Sequence, residues 1–306
     1  MRVWSVPTKK ISFTEETMTR NVSLAVNAQT DIGQVRDENE DSIRCYAHPD
    51  LPFSYIVIAD GMGGYSGGAL ASRLAVESMT LAFSQLVTPT FLACTPDQQK
   101  LMIEASLRKA IYNANASIIS AKDDNPNFAH MGTTLVVAVV WRQLLIVAHI
   151  GDSRAYFWSL RGLAQLTRDH SVVQEMIDSG AMTEDEARTS DVRNHITRAL
   201  GVMNEVEPEI SSFTLNESAL ILLCSDGLTE YFTNGQIEHV LATHRPALES
   251  CYRFIDQANQ AGGKDNISVG VMECSVSREL PLRDLSVPVH ASGEDTTVRR
   301  VLPESS

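Results

Sequence analysis

The run Ile56-Val57-Ile58-Ala59-Asp60-Gly61-Met62-Gly63-Gly64 decides the reading of the chain. Three adjacent β-branched residues and an alanine predict a buried strand, and that strand runs directly into a carboxylate followed by glycines. An acid at the exit of a rigid strand is firmly held, and glycine lets a metal ion or a phosphate come close to the backbone. The design recurs along the chain. Residues 220–224 feed Ser225-Asp226-Gly227, and residues 144–150 feed Gly151-Asp152-Ser153-Arg154. The turn Gly262-Gly263-Lys264-Asp265-Asn266 leads into an apolar run at 267–271.

Taken singly, an Asp-Gly after a strand reads as a turn. Four such acids converging on one place would repel one another strongly, and a divalent cation is the usual reason such a cluster is tolerated. Oxygen-only ligation selects magnesium or manganese over zinc or copper. The eight histidines agree, since none stands in an H-x-x-x-H or H-E-x-x-H pair. The charged stretch Asp31-Ile32-Gly33-Gln34-Val35-Arg36-Asp37-Glu38-Asn39-Glu40-Asp41 reads either as a solvated loop or as the far wall of the same site. In the second case Arg36 offers a guanidinium fork to a phosphate, while Glu40 and Asp41 reach metal or water.

Outward from these motifs, Val/Ile/Leu-dense runs at 22–28, 55–59, 133–141, 144–150, 219–224 and 267–272 predict strands. Helical spacing marks 68–86, 97–120, 236–243 and 246–261. Helices thus come in pairs between groups of strands, which predicts an α+β fold with largely antiparallel pairing instead of regular βαβ alternation. Ser171 with Gln174, and Thr183 with Glu186, announce two short capped helices in a polar flap at about 170–195. That flap either touches a substrate beside the site or merely covers a sheet edge. The expected organisation is an N-terminal extension at 1–20, one catalytic domain at 21–275 and a mostly disordered tail at 276–306. Within the tail, Thr296 and Thr297 in an acidic setting read as disordered filler or as phosphorylation sites.

A net charge of −13 and an apolar content of 43% describe a soluble globular protein that would bind nucleic acid poorly, because phosphate backbones are held by clustered Lys and Arg. Five widely spaced cysteines without a C-x-x-C pair suggest neither a zinc site nor a disulfide framework, and suit a reducing cytoplasm. The first 20 residues lack the apolar core of a secretory signal, and no apolar run is long enough to cross a bilayer, so no membrane partner is expected.

TDIGQVRDENEDS, ADGMGG, GTTLV, GDSRAY, LTRDHS, ITRALG, LLLCSDGLTE and GGKDNISV occur in that order. With them the chain closely resembles the bacterial form of the metal-dependent protein serine/threonine phosphatases of type 2C, over about residues 21–272. The resemblance implies a four-layer α-β-β-α sandwich of two mainly antiparallel sheets flanked by helix pairs, with two Mn2+ or Mg2+ ions in a cleft at one end. It also implies residue roles: Asp60 bridges the ions, Asp226 and Asp265 complete one shell, and Glu40 with the carbonyl of Gly61 serves the other. Asp41 holds metal-bound water, and Arg36 clamps the phosphate. Asn266 either orients its neighbour or simply forms the turn. A third, weaker ion would use Asp152 and the acid four residues after Asp226, which here is Glu230 in place of the family's Asp. Met62 stands where eukaryotic relatives carry a histidine, and cannot give a proton.

The reaction implied is hydrolysis of phosphoserine and phosphothreonine in proteins by in-line attack of a metal-bridging water. The expected partners are a cognate Ser/Thr kinase and its substrates. A silent phosphoprotein-binding module and another two-metal hydrolase, such as a phosphodiesterase or nuclease, are the rival readings. Retention of Asp60, Asp226 and Asp265 argues against the first, and the acidic chain against the second.

Overall fold

The computed structural model describes residues 20–64 and 67–278. Residues 1–19 of the expected N-terminal extension, Thr296, Thr297 and nearly all of the expected tail lie outside the described residues. Residues Arg20–Ser277 form one unit.

In chain order the first elements are β1 (Arg20–Asp31), β2 (Ser42–Ala47), β3 (Phe53–Ala59), β4 (Gly61–Met62), α1 (Gly67–Ser84), α2 (Pro89–Ala93) and α3 (Pro96–Asp124). Then come β5 (Gly132–Thr133), β6 (Leu135–Trp141), β7 (Leu144–Ile150), β8 (Arg154–Ser159), β9 (Gly162–Gln165), α4 (Val172–Asp178) and α5 (Glu184–Thr189). The last are β10 (Glu209–Thr214), β11 (Ala219–Cys224), α6 (Asp226–Thr229), α7 (Asn234–Thr243), α8 (Ala247–Gln260) and β12 (Ile267–Arg278). The strand β12 runs past the boundary expected at residue 275.

Two five-stranded sheets stack face to face. One has the order β10-β7-β6-β3-β2 and the other β1-β12-β11-β8-β9. Pairing within the first is antiparallel throughout, as are the β12-β11, β11-β8 and β8-β9 pairings of the second. Alternation along β3 shows the layering. Ile56 and Ile58 meet Val136, Ala138, Ile221 and Leu223 between the sheets. Tyr55, Val57 and Ala59 point the other way, into a core with Ala71, Ala75 and Met79 of α1 and Ile103, Leu107 and Ile111 of α3. On the far side Leu220, Leu222, Val269 and Val271 pack against Ile237 and Val240 of α7 and Phe254 and Ala258 of α8. Every residue of β3, β6 and β11 is therefore buried, which is why these strands read as unbroken apolar runs although their pairing is antiparallel.

Capping explains where the long helices start. Thr95 and Gln98 form a reciprocal box at the head of α3, with Pro96 in the first turn, and Thr233 with Gln236 does the same for α7. The flap has the expected caps: Ser171 accepts from the Gln174 amide, and Thr183 with Glu186 closes a full box. Among the described residues no helix is long and apolar enough to cross a membrane.

Candidate metal centre

Asp60 sits where β3 gives way to β4, and its backbone is fixed on both sides by the Gly-Thr-Thr motif. The Asp60 N–H donates to Thr134 Oγ1 at 3.1 Å, while the Thr134 amide and Thr133 Oγ1 both donate to the Asp60 carbonyl at 2.9 Å. Thr134 Oγ1 in turn shares a hydrogen bond of 2.7 Å with Ser153 Oγ, one residue beyond Asp152. The turns carrying Asp60 and Asp152 are thus tied through one pair of hydroxyls.

Gly61 is required by crowding. A Cβ there would lie 2.3 Å from the Gly68 carbonyl oxygen and 2.4 Å from that of Glu40. The first turn of α1 consequently rests against Glu40, and a Cβ on Gly68 would lie 2.5 Å from the carboxylate oxygen Glu40 Oε1. A helix N-terminus is a favourable place for that negative charge.

The stretch read either as a solvated loop or as a wall of the site is fastened down by Asn266. Asn266 Oδ1 accepts from the Glu40 amide at 2.8 Å, and its Nδ2 donates to the carbonyls of Ile32 and Glu38, each at 3.0 Å. The Gln34 amide adds a bond of 2.6 Å to the Gly263 carbonyl. Asn266 also donates its own N–H to Asp265 Oδ1 at 2.9 Å. Asn266 thus contacts its neighbour Asp265 through the main chain, while its side chain brings Glu40 and Asp41 to the Asp265 turn.

Asp41 is buried, and its Oδ2 accepts from Ser225 Oγ at 2.9 Å. Ser225, immediately before Asp226, accepts from the Ser268 amide at 2.9 Å, so α6 and β12 are joined behind the acids. Arg36 Nη2 donates to Asp265 Oδ2 at 2.7 Å with half of its side chain exposed. The structural hydroxyls of Thr134 and Ser225 were missed in the sequence. Their only signal there was the placement of Thr and Ser immediately beside the glycine and aspartate motifs.

Electrostatics single out the same group. Burial, then repulsion from Asp41, Asp226, Asp152 and Asp265, pushes the Asp60 carboxyl well above the usual range. Burial likewise raises Asp41 to about 7, with Asp226 and Asp265 adding to it against hydrogen bonds from Ser268 and Ser225. Asp226 rises to about 6 through burial and the neighbouring Asp265, held down by a hydrogen bond from Asp60. Asp152 rises to about 8 through burial and the fields of Asp226 and Asp169. A group of acids so mutually unfavourable calls for positive charge. Glu40 Oε1 and Asp41 Oδ1 are moreover buried without any hydrogen-bond partner. Unpartnered carboxylate oxygens in an all-oxygen donor set fit hard divalent cations.

The sequence candidates assemble as follows. Asp60, Asp226, Asp265, Asp41 and Arg36 meet at one end of the sandwich, with Glu40 and Gly61 on the α1 side. Asp152, Asp226 and Glu230 line a cleft of about 230 Å3 that the flap covers with Ser171, Gln174 and Arg193. Glu230 Oε1 lies 3.9 Å from Arg193 and 3.7 Å from Lys264.

The sequence model of the family described as "Protein phosphatase 2C" matches residues 34–268. The chain is 34% identical over 251 residues to the serine/threonine phosphatase stp of Listeria monocytogenes, covering 82% of this chain and 96% of that protein. Its fold matches the crystal structure of the Mycobacterium tuberculosis serine/threonine phosphatase PstP/Ppp with a TM-score of 0.71 and 32% identity, over 82% of this chain and 99% of that one. A PstP catalytic domain in complex with two manganese ions matches with a TM-score of 0.69 and 31% identity, over 83% and 99% of the two chains.

Proposed function

This chain belongs to the protein phosphatase 2C family and is a metal-dependent protein serine/threonine phosphatase, and from that premise we propose how its residues divide the work. Asp60, Asp226, Asp265, Glu40 and the Gly61 carbonyl would hold two divalent cations, with Asp60 serving both, Asp226 and Asp265 serving one, and Glu40 with the Gly61 carbonyl serving the other. The buried, charge-repelling cluster with two unpartnered carboxylate oxygens is the observation that carries this assignment. Bound there, such ions lower the pKa of a water molecule and neutralise charge on phosphoryl oxygens.

The protein's own groups do the remainder. Asp41 orients the attacking water through Oδ1, while Ser225 holds the opposite oxygen and so fixes the carboxylate plane. Arg36 keeps one guanidinium nitrogen on Asp265 and turns its remaining donors to the phosphate. Met62 has no proton to give, so the proton for the leaving serine or threonine oxygen would come from water held at the metal centre or from another group. Asp152 and Glu230 would hold a third, weaker ion, for which Arg193 and Lys264 compete at Glu230. Phosphoserine and phosphothreonine proteins, including a cognate Ser/Thr kinase and its targets, are the substrates. All five cysteines are unpaired, which supports a reducing cytoplasm as the working compartment.

The test compares hydrolysis of p-nitrophenyl phosphate, phosphopeptides and a phosphodiester with added manganese, with EDTA, and in Asp226→Asn. Manganese-dependent phosphopeptide hydrolysis that collapses with EDTA and in the variant is expected. Equal rates in all three conditions, or a preference for the diester, would overturn the assignment.

A further inference from the structure

Below the turn that carries Asp152 lies a polar cluster with no assigned task. His149, His170 and Glu209 each bring one potential ligand atom to within 4.8 Å of the others, which at first suggests another metal site. The ring geometry argues otherwise. The two imidazoles are stacked with centroids 4.7 Å apart and planes 20° apart, so their in-plane lone pairs run side by side instead of converging on one ion. Both nitrogens of His170 are also engaged: Nδ1 faces the Gly151 amide at 3.1 Å, and Nε2 lies 3.0 Å from Glu209 Oε1, with Arg198 Nη1 at 3.4 Å from Nε2 and 3.6 Å from the same Glu209 oxygen.

An amide N–H only donates, so Nδ1 must present its lone pair, and Nε2 must carry the proton that Glu209 accepts. His170 is 5% exposed, and burial, the leading influence on it, keeps the ring neutral by lowering its pKa. Gly151 is held at both of its peptide groups, because the His170 N–H also donates to the Gly151 carbonyl, which leads into Asp152, at 2.9 Å. Gly151 itself has φ +102, and a Cβ there would lie 2.7 Å from Thr134, so the turn has little freedom on its other side. His170 is also the first residue of the flap. Its carbonyl accepts from the Thr197 amide at 2.7 Å, and Ser171 bridges Ile196 where the flap returns.

We propose that His170, held by Glu209 in the tautomer with a free Nδ1 lone pair, is a positioning residue that sets the Gly151 peptide and thereby presents Asp152 to the third divalent ion. This rests on the assignment of Asp152 to that ion. It makes one histidine the common anchor of the flap base and the weak metal site.

Asn and Gln at position 170 separate the two ring nitrogens, since Asn places a polar atom near Nδ1 and Gln places one near Nε2. The experiment counts Mn2+ bound by EDTA-stripped protein in calorimetric titrations of the parent, Asp152→Asn, His170→Asn and His170→Gln. It also follows hydrogen exchange of the Gly151 amide in the stripped proteins. Asp152→Asn is expected to lose the weak ion and keep the tight pair. His170→Gln should weaken that ion by about tenfold or more and speed Gly151 exchange by a similar factor, while His170→Asn stays within about threefold of the parent in both. Loss of the weak ion in Asp152→Asn but not in His170→Gln, or equal behaviour of the Asn and Gln variants, overturns the role of His170 alone. Retention of the weak ion in Asp152→Asn overturns the assignment of Asp152 and the proposal with it. Glu209→Ala, at a half-exposed side chain, provides a second variant should substitution at 170 impair folding, and it is expected to speed Gly151 exchange as well.

Discussion

Replacing Asp41 by Asn should stabilise the metal-stripped protein, and the size of the gain follows from the site. Burial and the neighbouring acids raise Asp41 from an ordinary 3.8 to about 7. Well below pH 3.8 the folded and unfolded chains both carry the proton, and the residue imposes no penalty. As pH rises the unfolded chain ionises first, so stability falls until the folded state has also ionised, near pH 7. A rise of about three pH units corresponds to ~4 kcal/mol lost above that point. Asparagine keeps an oxygen for Ser225 Oγ and cannot ionise, so the stripped variant at pH 8 should gain up to that ~4 kcal/mol, or roughly 10 °C in melting temperature. Near pH 4 it should match the parent to within about 1 kcal/mol. Urea unfolding with EDTA across pH 4–8 measures this directly. A parent equally stable at both ends of the range, or a variant no more stable than the parent at pH 8, would refute the reasoning. Saturating manganese should remove the advantage of the variant, because the ion neutralises the same charge.

Gly61→Ala would drive a methyl group to 2.3 Å from the Gly68 carbonyl, and should cost about 3 kcal/mol in urea unfolding, with weaker Mn2+ binding in titration. Thr134→Val removes the hydroxyl that joins the Asp60 amide to Ser153, and should cost ~1–3 kcal/mol, with Thr134→Ser restoring most of it. Arg36→Ala should lower kcat/KM for phosphopeptides by about 10–100-fold, and Arg36→Lys should recover only part, since an ammonium lacks the guanidinium fork.

The readability of the fold from sequence follows burial. β3, β6, β7 and β11 are covered on both faces and announce themselves as apolar runs. β2 and β10, at the two edges of their sheet, mix exposed and half-buried residues and carry no comparable signal. The strand β8 is interior and as long as β11, but it opens on Arg154, which makes a three-bond contact with Asp169 at 2.7–3.0 Å, and its aromatic residues break the aliphatic run. The acids at strand exits were legible because strand, Asp and Gly are contiguous. Residues that act across long sequence separations were not. Asn266 reaches a loop more than 220 residues away, and His170 meets Glu209 across 39. Neither contact has a local pattern, and only the folded chain brings them together.

The claim that Asp60 bridges two cations is tested most directly by anomalous diffraction from crystals soaked in manganese. Two sites are expected on either side of the Asp60 carboxylate, each within about 2.3 Å of one of its oxygens. One should also touch Asp226 and Asp265, and the other Glu40 and the Gly61 carbonyl. Manganese found at His149, His170 and Glu209 instead, with none on Asp60, would contradict it.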